Sequence, residues 1–379
     1  ASEIITRLEI DYLAMASNLY SREGIRAKAV EVITTIFNDI RSLTKDLFTL
    51  FEERVVMAQG ELLSSELFQL LMGENGMKSV LIPALDFMRT DKNAVPDPVY
   101  IKEKLTELLN DNKGADLYVT QGYITRNAYG EIDDLRKGGS DYTASLVGVA
   151  VDAKEIQIWA DVDVMQNNDS RYVENTTPVH RLNFDEAAEL AYFGAKILHP
   201  ASITPAKLAN IPVRLKNTEH PEAEGTLISN ETDTCTIKAV AAKENITAIK
   251  IKSSKMLLAH GFLRRVFEVF EQYTTPIDML TTSEVGISVT IDDSRQLQYI
   301  IDDLKKYGTV TVDEGMVIVS VVGNLEWENR GFQSKILDAL KEVPIRMISY
   351  GGSNYNVSVL IKKADKERAL QLLNNKLFN

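Results

Sequence analysis

Hydrophobic residues recur with a helical period over residues 1–75 of the chain. Apolar side chains return at spacings of three and four positions, as in 25–36 and again in 43–50. This spacing places them on one face of a helix, so this part of the chain is predicted to be almost wholly helical.

At Lys78 the pattern changes to short apolar runs that are rich in Val, Ile and Tyr. These predicted strands lie at 78–85, 116–124 and 155–164. They alternate with predicted helices at 98–111, 141–151 and 185–195. Residues 208–217 form one more predicted strand, and the polar, turn-rich stretch 220–229 is predicted to end the region. Alternating strands and helices favour an α/β fold with a mostly parallel sheet covered on both faces.

The last part of the chain repeats one arrangement of elements. The stretches 276–291 and 344–361 each read strand–turn–strand, with an amphipathic helix before and after. A predicted strand opens each copy, at 246–253 and 316–323. The pattern is therefore βαββαβ twice, the ferredoxin-like unit. Small sheets of this kind pair edge to edge, so the repeat indicates assembly and small-ligand sensing, with a duplicated interaction module as the alternative.

Composition narrows the classes of function. A chain of 379 residues with 45% hydrophobic and 25% charged residues suits a globular protein of two or three domains. The net charge of -12 argues against nucleic acid as a partner. The sequence shows no membrane-length apolar run and no signal peptide. A single cysteine, Cys235, favours a reducing cytoplasm, and with four scattered histidines it gives no metal-ligand spacing.

The stretch 135–146, LRKGGSDYTASL, is the most informative part of the sequence. Gly138 and Gly139 permit positive φ and let backbone N–H groups approach a ligand. Ser140 or Asp141 is placed to cap the helix that follows. A glycine turn, two cations before it and the positive end of a helix together suit an anion, with an ordinary strand–turn–helix corner as the alternative.

Several motifs, taken in order, resemble one enzyme family. GGSDYTA at 138–144, QIWADVD at 157–163 and EAAELAYFGAKILHP at 186–200 are similar to the aspartate kinases (aspartokinases) of the amino-acid kinase superfamily. GFLRRVFEVF at 261–270 and the strand–turn–strand stretch 276–291 resemble the regulatory ACT domains of that family.

The resemblance implies a fold and a division into domains. The expected fold is α/β, a three-layer amino-acid kinase sandwich with a mostly parallel sheet, plus two ferredoxin-like ACT domains. The implied boundaries are 1–228 for the catalytic domain, 229–307 for the first ACT domain and 308–379 for the second. The family's opening strand, which ends in Lys-Phe-Gly-Gly-Thr-Ser, has no counterpart here, so the chain as it stands is not expected to be a competent kinase.

The resemblance also implies the reaction and its substrate-binding residues. ATP, with Mg²⁺ bridging its phosphate oxygens, would phosphorylate the side-chain carboxylate of L-aspartate, a step that needs positioning and charge neutralisation. The substrate-binding residues would be Glu61, Tyr123, Lys137, Gly138, Gly139, Ser140 and Asp141. Glu61 would hold the ammonium group of aspartate. Lys137 stands where most of the family has arginine, so it supplies charge without a bidentate fork.

The same resemblance places the nucleotide along the segment 157–171 and a later lysine. The residues implied are Ala160, Asp161, Asp163, Asp169, Arg171 and Lys196. Three positions depart from the family pattern, because Ala160 replaces Thr, Val164 replaces Gly and Ser170 replaces Pro. The lost hydroxyl at position 160 removes one hydrogen bond to the nucleotide, worth about 1 kcal/mol.

In the first ACT repeat, the segment 255–267 resembles the lysine-binding segment of lysine-sensitive relatives. The implied effector-binding residues are Met256, Ala259, Gly261, Phe262, Leu263, Ile277 and Asp278. Asp278 is placed to hold an ammonium group, and Ala259 replaces a family serine. L-Lysine is therefore the expected feedback effector, bound in a homodimer that forms through the ACT domains.

Two other functions stay open at this point. One is a kinase that acts on another amino acid or on a nucleoside monophosphate, although the paired ACT repeats argue against it. The other is a catalytically defective, amino-acid-sensing ACT protein, which the substitutions at Lys137, Ala160 and Val164 favour. A P-loop kinase is disfavoured because the sequence contains no Walker motif.

Overall fold

The computed structural model of the protein describes residues 2–45, 47–136, 138–161, 165–194, 198–232, 237–253 and 260–378. The chain divides into two units. The first unit combines Ala1–Ile156 with Ala201–Val213, and the second combines Gln157–Pro200 with Arg214–Asn379.

Three long helices open the first unit and confirm the helical period of the sequence. They are α1 (Ser2–Leu19), α2 (Glu23–Leu43) and α3 (Leu50–Glu74). A capping box formed by Thr49 and Glu52 begins α3, because each side chain bonds a backbone amide that the helix leaves free. Apolar residues of all three helices form one core, and the buried hydroxyl of Tyr20 donates to the carbonyl of Leu67 at 2.7 Å.

The rest of the first unit is α/β. Its strands are β1 (Ser79–Leu81), β2 (Leu117–Val119), β3 (Ile124–Arg126) and β4 (Ile132–Asp134). Its helices are α4 (Ala84–Phe87), α5 (Pro98–Asp111), α6 (Gly139–Ala150) and α8 (Thr204–Ala209). Strands β1 and β2 are parallel, whereas β3 and β4 form an antiparallel hairpin that the single predicted strand 116–124 did not anticipate. The predicted helix at 98–111 is confirmed as α5. It begins there because the Asp97 side chain caps it and Pro98 occupies its first position.

The second unit begins with a four-stranded sheet and one helix. The strands are β5 (Ile156–Ala160), β6 (Arg181–Asn183), β7 (Val213–Asn217) and β8 (Thr226–Ser229), and the helix is α7 (Phe184–Phe193). The strand order is β5-β7-β8-β6, and β6 runs parallel to β8.

The prediction of a turn over 220–229 was wrong for its last four residues, which form β8. Gly225, with φ +77°, comes so close to β7 that a Cβ there would lie 2.0 Å from the carbonyl oxygen of Leu215. Only a residue without a side chain permits this approach, which brings β8 into the sheet.

The C-terminal repeats form one antiparallel sheet in the order β10-β11-β9-β12-β14-β13. Its strands are β9 (Ile237–Lys252), β10 (Leu280–Ser283), β11 (Gly286–Ile291), β12 (Thr309–Gly323), β13 (Met347–Ser349) and β14 (Asn356–Lys362). The helices are α9 (Phe262–Gln272), α10 (Leu297–Leu304), α11 (Phe332–Ala339) and α12 (Lys366–Leu377).

Two long strands are shared between the repeats. The first half of β12 pairs with the second half of β9, as in Val312 with Ile249, and its second half pairs with the first half of β9, as in Val319 with Ala242. A register shift between Asp313 and Met316 separates the two halves. The predicted opening strands 246–253 and 316–323 lie in β9 and β12, but each is half of a longer strand whose other half belongs to the other repeat. The two repeats have separate cores. The domain boundaries at 228/229 and 307/308 stay predictions.

Candidate functional site

The glycine loop that precedes α6 takes the positive φ that its sequence permits, but its N-cap is Gly138 without a side-chain cap bond, so the prediction that Ser140 or Asp141 caps the helix was wrong. Gly138 has φ 70° and occupies the N-cap position, and the residue two positions before it, Arg136, has φ 65°. The backbone N–H of Arg136 donates to Oδ1 of Asp134 at 2.7 Å, and the N–H of Gly139 donates to the carbonyl of Arg136 at 3.1 Å. The loop therefore presents the positive end of α6, as an anion site requires.

Tyr123 packs directly against this loop. Its φ is 52°, and its backbone N–H donates to Oγ1 of Thr143 at 3.0 Å. A Cβ on Gly139 would lie 2.7 Å from the Cβ of Tyr123 and 3.2 Å from that of Leu135. Glycine at 139 is therefore required for packing, in addition to any contact that its amide makes with a ligand.

Glu61 lies on α3 near the same tyrosine. The Tyr123 hydroxyl donates to the carbonyl of Met57, one turn before Glu61, at 3.1 Å. Burial raises the pKa of Tyr123, and the negative charges of Glu61 and Asp134 add to this effect. The fold thus brings together Glu61, Tyr123 and the start of α6, which are far apart in sequence.

The remaining members of the predicted substrate set lie around the helix start. Ser140 is exposed, and a Cβ on Gly122 would lie 3.0 Å from its Oγ. Asp141 is half-buried and has a polar partner. Lys137 lies outside the described residues. The roles of these residues in binding stay predictions.

Buried polar residues that the sequence did not single out fix this arrangement. Gln121 is buried and bridges two elements, because its Nε2 donates to Oγ of Ser65 on α3 at 2.7 Å and its Oε1 accepts the N–H of Ala84 at 2.7 Å. Arg54 on α3 pairs with Asp133 of β4 at 3.2 Å. Gln121 lies between β2 and β3, in the segment that the sequence predicted as one strand, and no local pattern marked it.

The predicted nucleotide-binding residues lie in the second unit. Asp161 is exposed directly after β5, and the carbonyl of Ala160 accepts bonds from the N–H of Thr218 at 2.9 Å and from its Oγ1 at 3.1 Å. The hydroxyl of Thr218, directly after β7, therefore lies beside position 160, where Ala160 replaces the family's threonine. Asp163 and Lys196 lie outside the described residues.

Asp169 and Arg171 form a bidentate ion pair. Nε of Arg171 donates to Oδ1 at 2.9 Å and its terminal nitrogen donates to Oδ2 at 2.7 Å. Burial raises the pKa of Asp169, but the hydrogen bonds from Arg171 outweigh burial, so the pKa lies below its usual value. The arginine side chain is 77% exposed, which leaves the remaining guanidinium donors accessible to an anionic ligand.

The same tripeptide, Asp-Ser-Arg, occurs again at 293–295 and folds in the same way. Nε of Arg295 donates to Oδ1 of Asp293 at 3.0 Å, and its terminal nitrogen donates to Oδ2 at 2.5 Å. The ion pair is thus a local property of the tripeptide. The surroundings of Asp169 and Arg171, and not the tripeptide itself, must distinguish a nucleotide site.

In the first ACT repeat, the predicted effector residues lie at the start of α9 and before β10. Gly261 has φ 78° and is the N-cap of α9, where a side chain would be strained although space is open. Phe262 is buried, Leu263 is exposed, and Ile277 packs on the same core as Phe262. Met256 and Ala259 lie outside the described residues.

Asp278 is buried and already bonded within the chain. Its Oδ1 accepts from Nζ of Lys243 at 2.6 Å and from the hydroxyl of Tyr192 at 3.1 Å. No donor among the described residues reaches its Oδ2. Lys243 also pairs with Asp292 at 2.9 Å. Burial raises the pKa of Asp278 in spite of the nearby ammonium, and burial with the charge of Asp278 raises the pKa of Tyr192 to about 12.

The described residues form neither a metal-binding cluster nor a membrane-spanning helix. Among them, no group of three or more His, Cys, Asp or Glu side chains is arranged to hold a metal ion. None of the helices in this part of the chain has the length and apolar character needed to cross a bilayer.

Comparisons with known proteins agree with this arrangement. Residues 9–217 match the amino acid kinase family, and residues 319–377 match the ACT domain. The chain is 33% identical to lysine-sensitive aspartokinase 3 of Escherichia coli over 85% of this chain and 75% of the relative. It is 32% identical to the chloroplastic aspartokinase 1 of Arabidopsis thaliana over 98% of this chain and 69% of the relative.

Solved structures give the same result. Aspartokinase III of E. coli in complex with aspartate and ADP superimposes with a TM-score of 0.83 at 30% identity, covering 100% of this chain and 87% of that one. The aspartate kinase of Clostridium acetobutylicum gives a TM-score of 0.76 at 26% identity, covering 98% of this chain and 89% of that one. These matches define an amino acid kinase fold with ACT units, and the predicted fold class is confirmed. Within that class, the chain belongs to the aspartokinase family.

Proposed function

We propose that the protein transfers the terminal phosphoryl group of ATP to the side-chain carboxylate of L-aspartate, giving 4-phospho-L-aspartate for amino-acid biosynthesis. The observation that carries this proposal is the meeting of Glu61 and Tyr123 with the glycine start of α6. A carboxylate close to the positive end of a helix is suited to a ligand that has both an ammonium group and carboxylates.

In this proposal the ends of aspartate are held separately. Glu61 accepts hydrogen bonds from the ammonium group, while the loop 137–141 supplies amides and the Lys137 charge to the carboxylates. Rigid placement of the acceptor carboxylate is the main contribution of the protein, because phosphoryl transfer needs alignment more than it needs a covalent intermediate. The E. coli relative was solved with aspartate and ADP, which supports both ligands.

For the nucleotide we assign Asp161, Asp163, Asp169, Arg171 and Lys196. Arg171 already has a fixed orientation, because Asp169 holds one edge of its guanidinium group and leaves the other exposed. An arginine held in this way neutralises phosphate charge without first losing conformational freedom. Mg²⁺, when bound with ATP, would neutralise further charge on the phosphate oxygens, and the phosphates themselves would supply its ligands.

We also propose that an amino acid inhibits the protein through the ACT repeats, and that L-lysine is the effector to test first. Gly261, Phe262 and Leu263 begin α9, and Oδ2 of buried Asp278, which no donor among the described residues reaches, is an acceptor for an ammonium group. The E. coli relative is named lysine-sensitive, and its structure was solved with lysine and aspartate. We propose in addition that two chains associate as a homodimer through the ACT repeats.

Replacing Glu61 tests the substrate assignment. Glu61→Gln is expected to raise the KM for aspartate, or its Kd in calorimetry, by at least about tenfold, which is the scale of one charged hydrogen bond. Glu53→Gln is the matched control, since Glu53 is an exposed carboxylate on the same helix and should change the constants by less than about twofold. The measurement uses protein that also carries the family's opening strand, which ends in Lys-Phe-Gly-Gly-Thr-Ser. Equal constants for wild type and Glu61→Gln in that protein, or no phosphoryl transfer by it, would contradict the proposal.

A further inference from the structure

Residues 167–173, the nucleotide segment that carries Asp169 and Arg171, pack against the second ACT repeat. Val173, at its end, is buried in the same core as Val319 of β12, Val359 of β14 and Leu370 of α12. The carbonyl of Asn167, near its start, accepts the N–H of Val240 on β9 at 2.8 Å. Both ends of the segment are therefore fixed to the ACT sheet and its last helix.

Asn168 connects α12 to the backbone of Asp169. Its side chain is only 3% exposed. Nδ2 donates to the carbonyl of Leu370 at 3.1 Å and to Oδ1 of Asn374 at 3.3 Å, while Oδ1 accepts the N–H of Asp169 at 2.9 Å. One amide group thus bonds the helix at one end and the nucleotide segment at the other.

A second connection lies on the other side of Arg171. The carbonyl of Tyr172 accepts from Nε2 of Gln371 on α12 at 3.1 Å. Nζ of Lys366, also on α12, lies 3.7 Å from the centre of the Tyr172 ring. Lys366 is buried and is held there by Glu244 at 2.5 Å, so it stabilises the ring through a cation–π contact.

We propose that helix α12 of the second ACT repeat positions the nucleotide-binding segment, with Asn168 and Lys366 as positioning residues. The Asp-Ser-Arg ion pair forms without this help, as Asp293 and Arg295 show, but the copy at 169–171 is also bonded to α12 on both of its sides. ATP affinity therefore depends on α12, although α12 need not touch the nucleotide. The inference rests on the assignment of Arg171 to the nucleotide.

The test measures the Kd of ATP with Mg²⁺ by calorimetry on the full chain, together with the KM values for ATP and for aspartate. Asn168→Ala is expected to weaken ATP binding by about tenfold, the scale of one or two lost hydrogen bonds, and to leave the KM for aspartate within about twofold. Lys366→Met is expected to weaken ATP binding in the same direction, and Lys366→Arg to restore it, because arginine keeps the cation over the ring.

Ser320→Ala is the matched structural control. Ser320 on β12 and Ser358 on β14 form a buried hydroxyl pair at 2.6 Å in the same ACT repeat. Among the described residues, neither hydroxyl bonds the nucleotide segment. The variant should lower the melting temperature, as we also expect of Asn168→Ala, and leave the Kd of ATP unchanged. This comparison separates positioning of Arg171 from general loss of stability.

The outcomes separate the inference from the function on which it rests. Weaker ATP binding in Asn168→Ala and Lys366→Met, but not in Ser320→Ala, supports the inference. If Arg171→Ala weakens ATP binding while Asn168→Ala and Lys366→Met do not, the inference is wrong and the nucleotide assignment stands. If Arg171→Ala leaves ATP binding unchanged, the assignment fails and the inference fails with it.

Discussion

The ammonium group of Lys243 lies 2.6 Å from Oδ1 of Asp278, so the carboxylate expected to hold an effector already has a cation from its own chain. The pair is asymmetric, because Lys243 also bonds Asp292 while Oδ2 of Asp278 has no donor among the described residues. A buried acceptor without a donor costs about 1–3 kcal/mol. A ligand with an ammonium group would remove that cost by bonding Oδ2.

Asp278→Asn tests this role directly. The substitution removes the charge and the free oxygen while it keeps the shape of the side chain, so lysine binding should weaken by at least about tenfold in calorimetry. Inhibition by lysine should then need a higher lysine concentration, because lysine inhibits only when it is bound.

Asp292→Asn is the control for that variant, since Asp292 bonds the same ammonium group and lies closer to solvent. It should bind lysine within about threefold of the wild type, as expected for a partly exposed ion pair. Unchanged lysine affinity in Asp278→Asn would remove Asp278 from the effector site. Wild-type protein that binds threonine and not lysine would show that the effector itself was assigned wrongly.

The pH dependence of stability should carry the signature of Asp278. Burial raises its pKa in the folded chain, so its contribution to stability is present below about pH 4 and is lost as the pH rises through the folded-state pKa. The wild type should therefore lose stability relative to Asp278→Asn as the pH rises above about pH 4 and through the folded-state pKa.

The groups that face Asp278 do not reverse this sign. Burial lowers the pKa of Lys243, but its bonds to two aspartates outweigh burial and keep it above its usual value, and the pKa of Tyr192 is raised to about 12 by burial and by Asp278. Both groups thus keep their protons over the range. Melting temperatures of the two proteins, measured in half-unit steps of pH, check the prediction, and a difference that is constant or has the opposite slope contradicts it.

Gly139→Ala should damage both the fold and aspartate binding. The new Cβ would lie 2.7 Å from the Cβ of Tyr123, so the tyrosine or the start of α6 must shift. Overpacking of this kind costs about 1–3 kcal/mol, which denaturant unfolding measures, and a shifted α6 should also raise the KM for aspartate. Gly73→Ala on α3 is the control, because a Cβ added there would meet no atom within 4 Å. Equal effects of the two substitutions would show that the packing of Tyr123 on Gly139 is not responsible.

Asp169→Asn should weaken ATP binding by releasing Arg171 from its fixed orientation. We expect the KM for ATP to rise by about fivefold to tenfold, with a small change in the KM for aspartate. Asp293→Asn, in the second Asp-Ser-Arg tripeptide, breaks the same kind of ion pair and should leave both constants unchanged. A rise in the KM for ATP in both variants would mean that the effect is not specific to the nucleotide segment.

Local sequence signals predicted much of the fold. The helix at 98–111 was predictable because Asp97 and Pro98 mark its start. The helical period identified residues 1–75 as helical, but it did not divide them into α1, α2 and α3. The strand β8 was missed because its place in the sheet depends on the close approach of Gly225 to Leu215, which no local pattern reveals.

The contacts of the candidate site were less predictable than its residues. The family motifs located Glu61, Tyr123 and Gly139, and the structure brings them together. The pairing of Asp278 with Lys243 joins residues that are 35 positions apart, and neither has a distinctive neighbour in sequence. The two Asp-Ser-Arg tripeptides also show what the local sequence cannot predict. They form the same ion pair, so only their surroundings in the fold distinguish one from the other.

The long strands β9 and β12 have a consequence for cooperativity. Each runs without interruption from one ACT repeat into the other, so the covalent backbone joins the two cores through the middle of one sheet. If one repeat opens, its halves of β9 and β12 lose their hydrogen bonds to each other. The other repeat contains the remaining halves of the same two strands, so it is expected to open with the first. The two repeats should exchange their amide hydrogens as one cooperative unit, and an effector that protects the first should also protect the second.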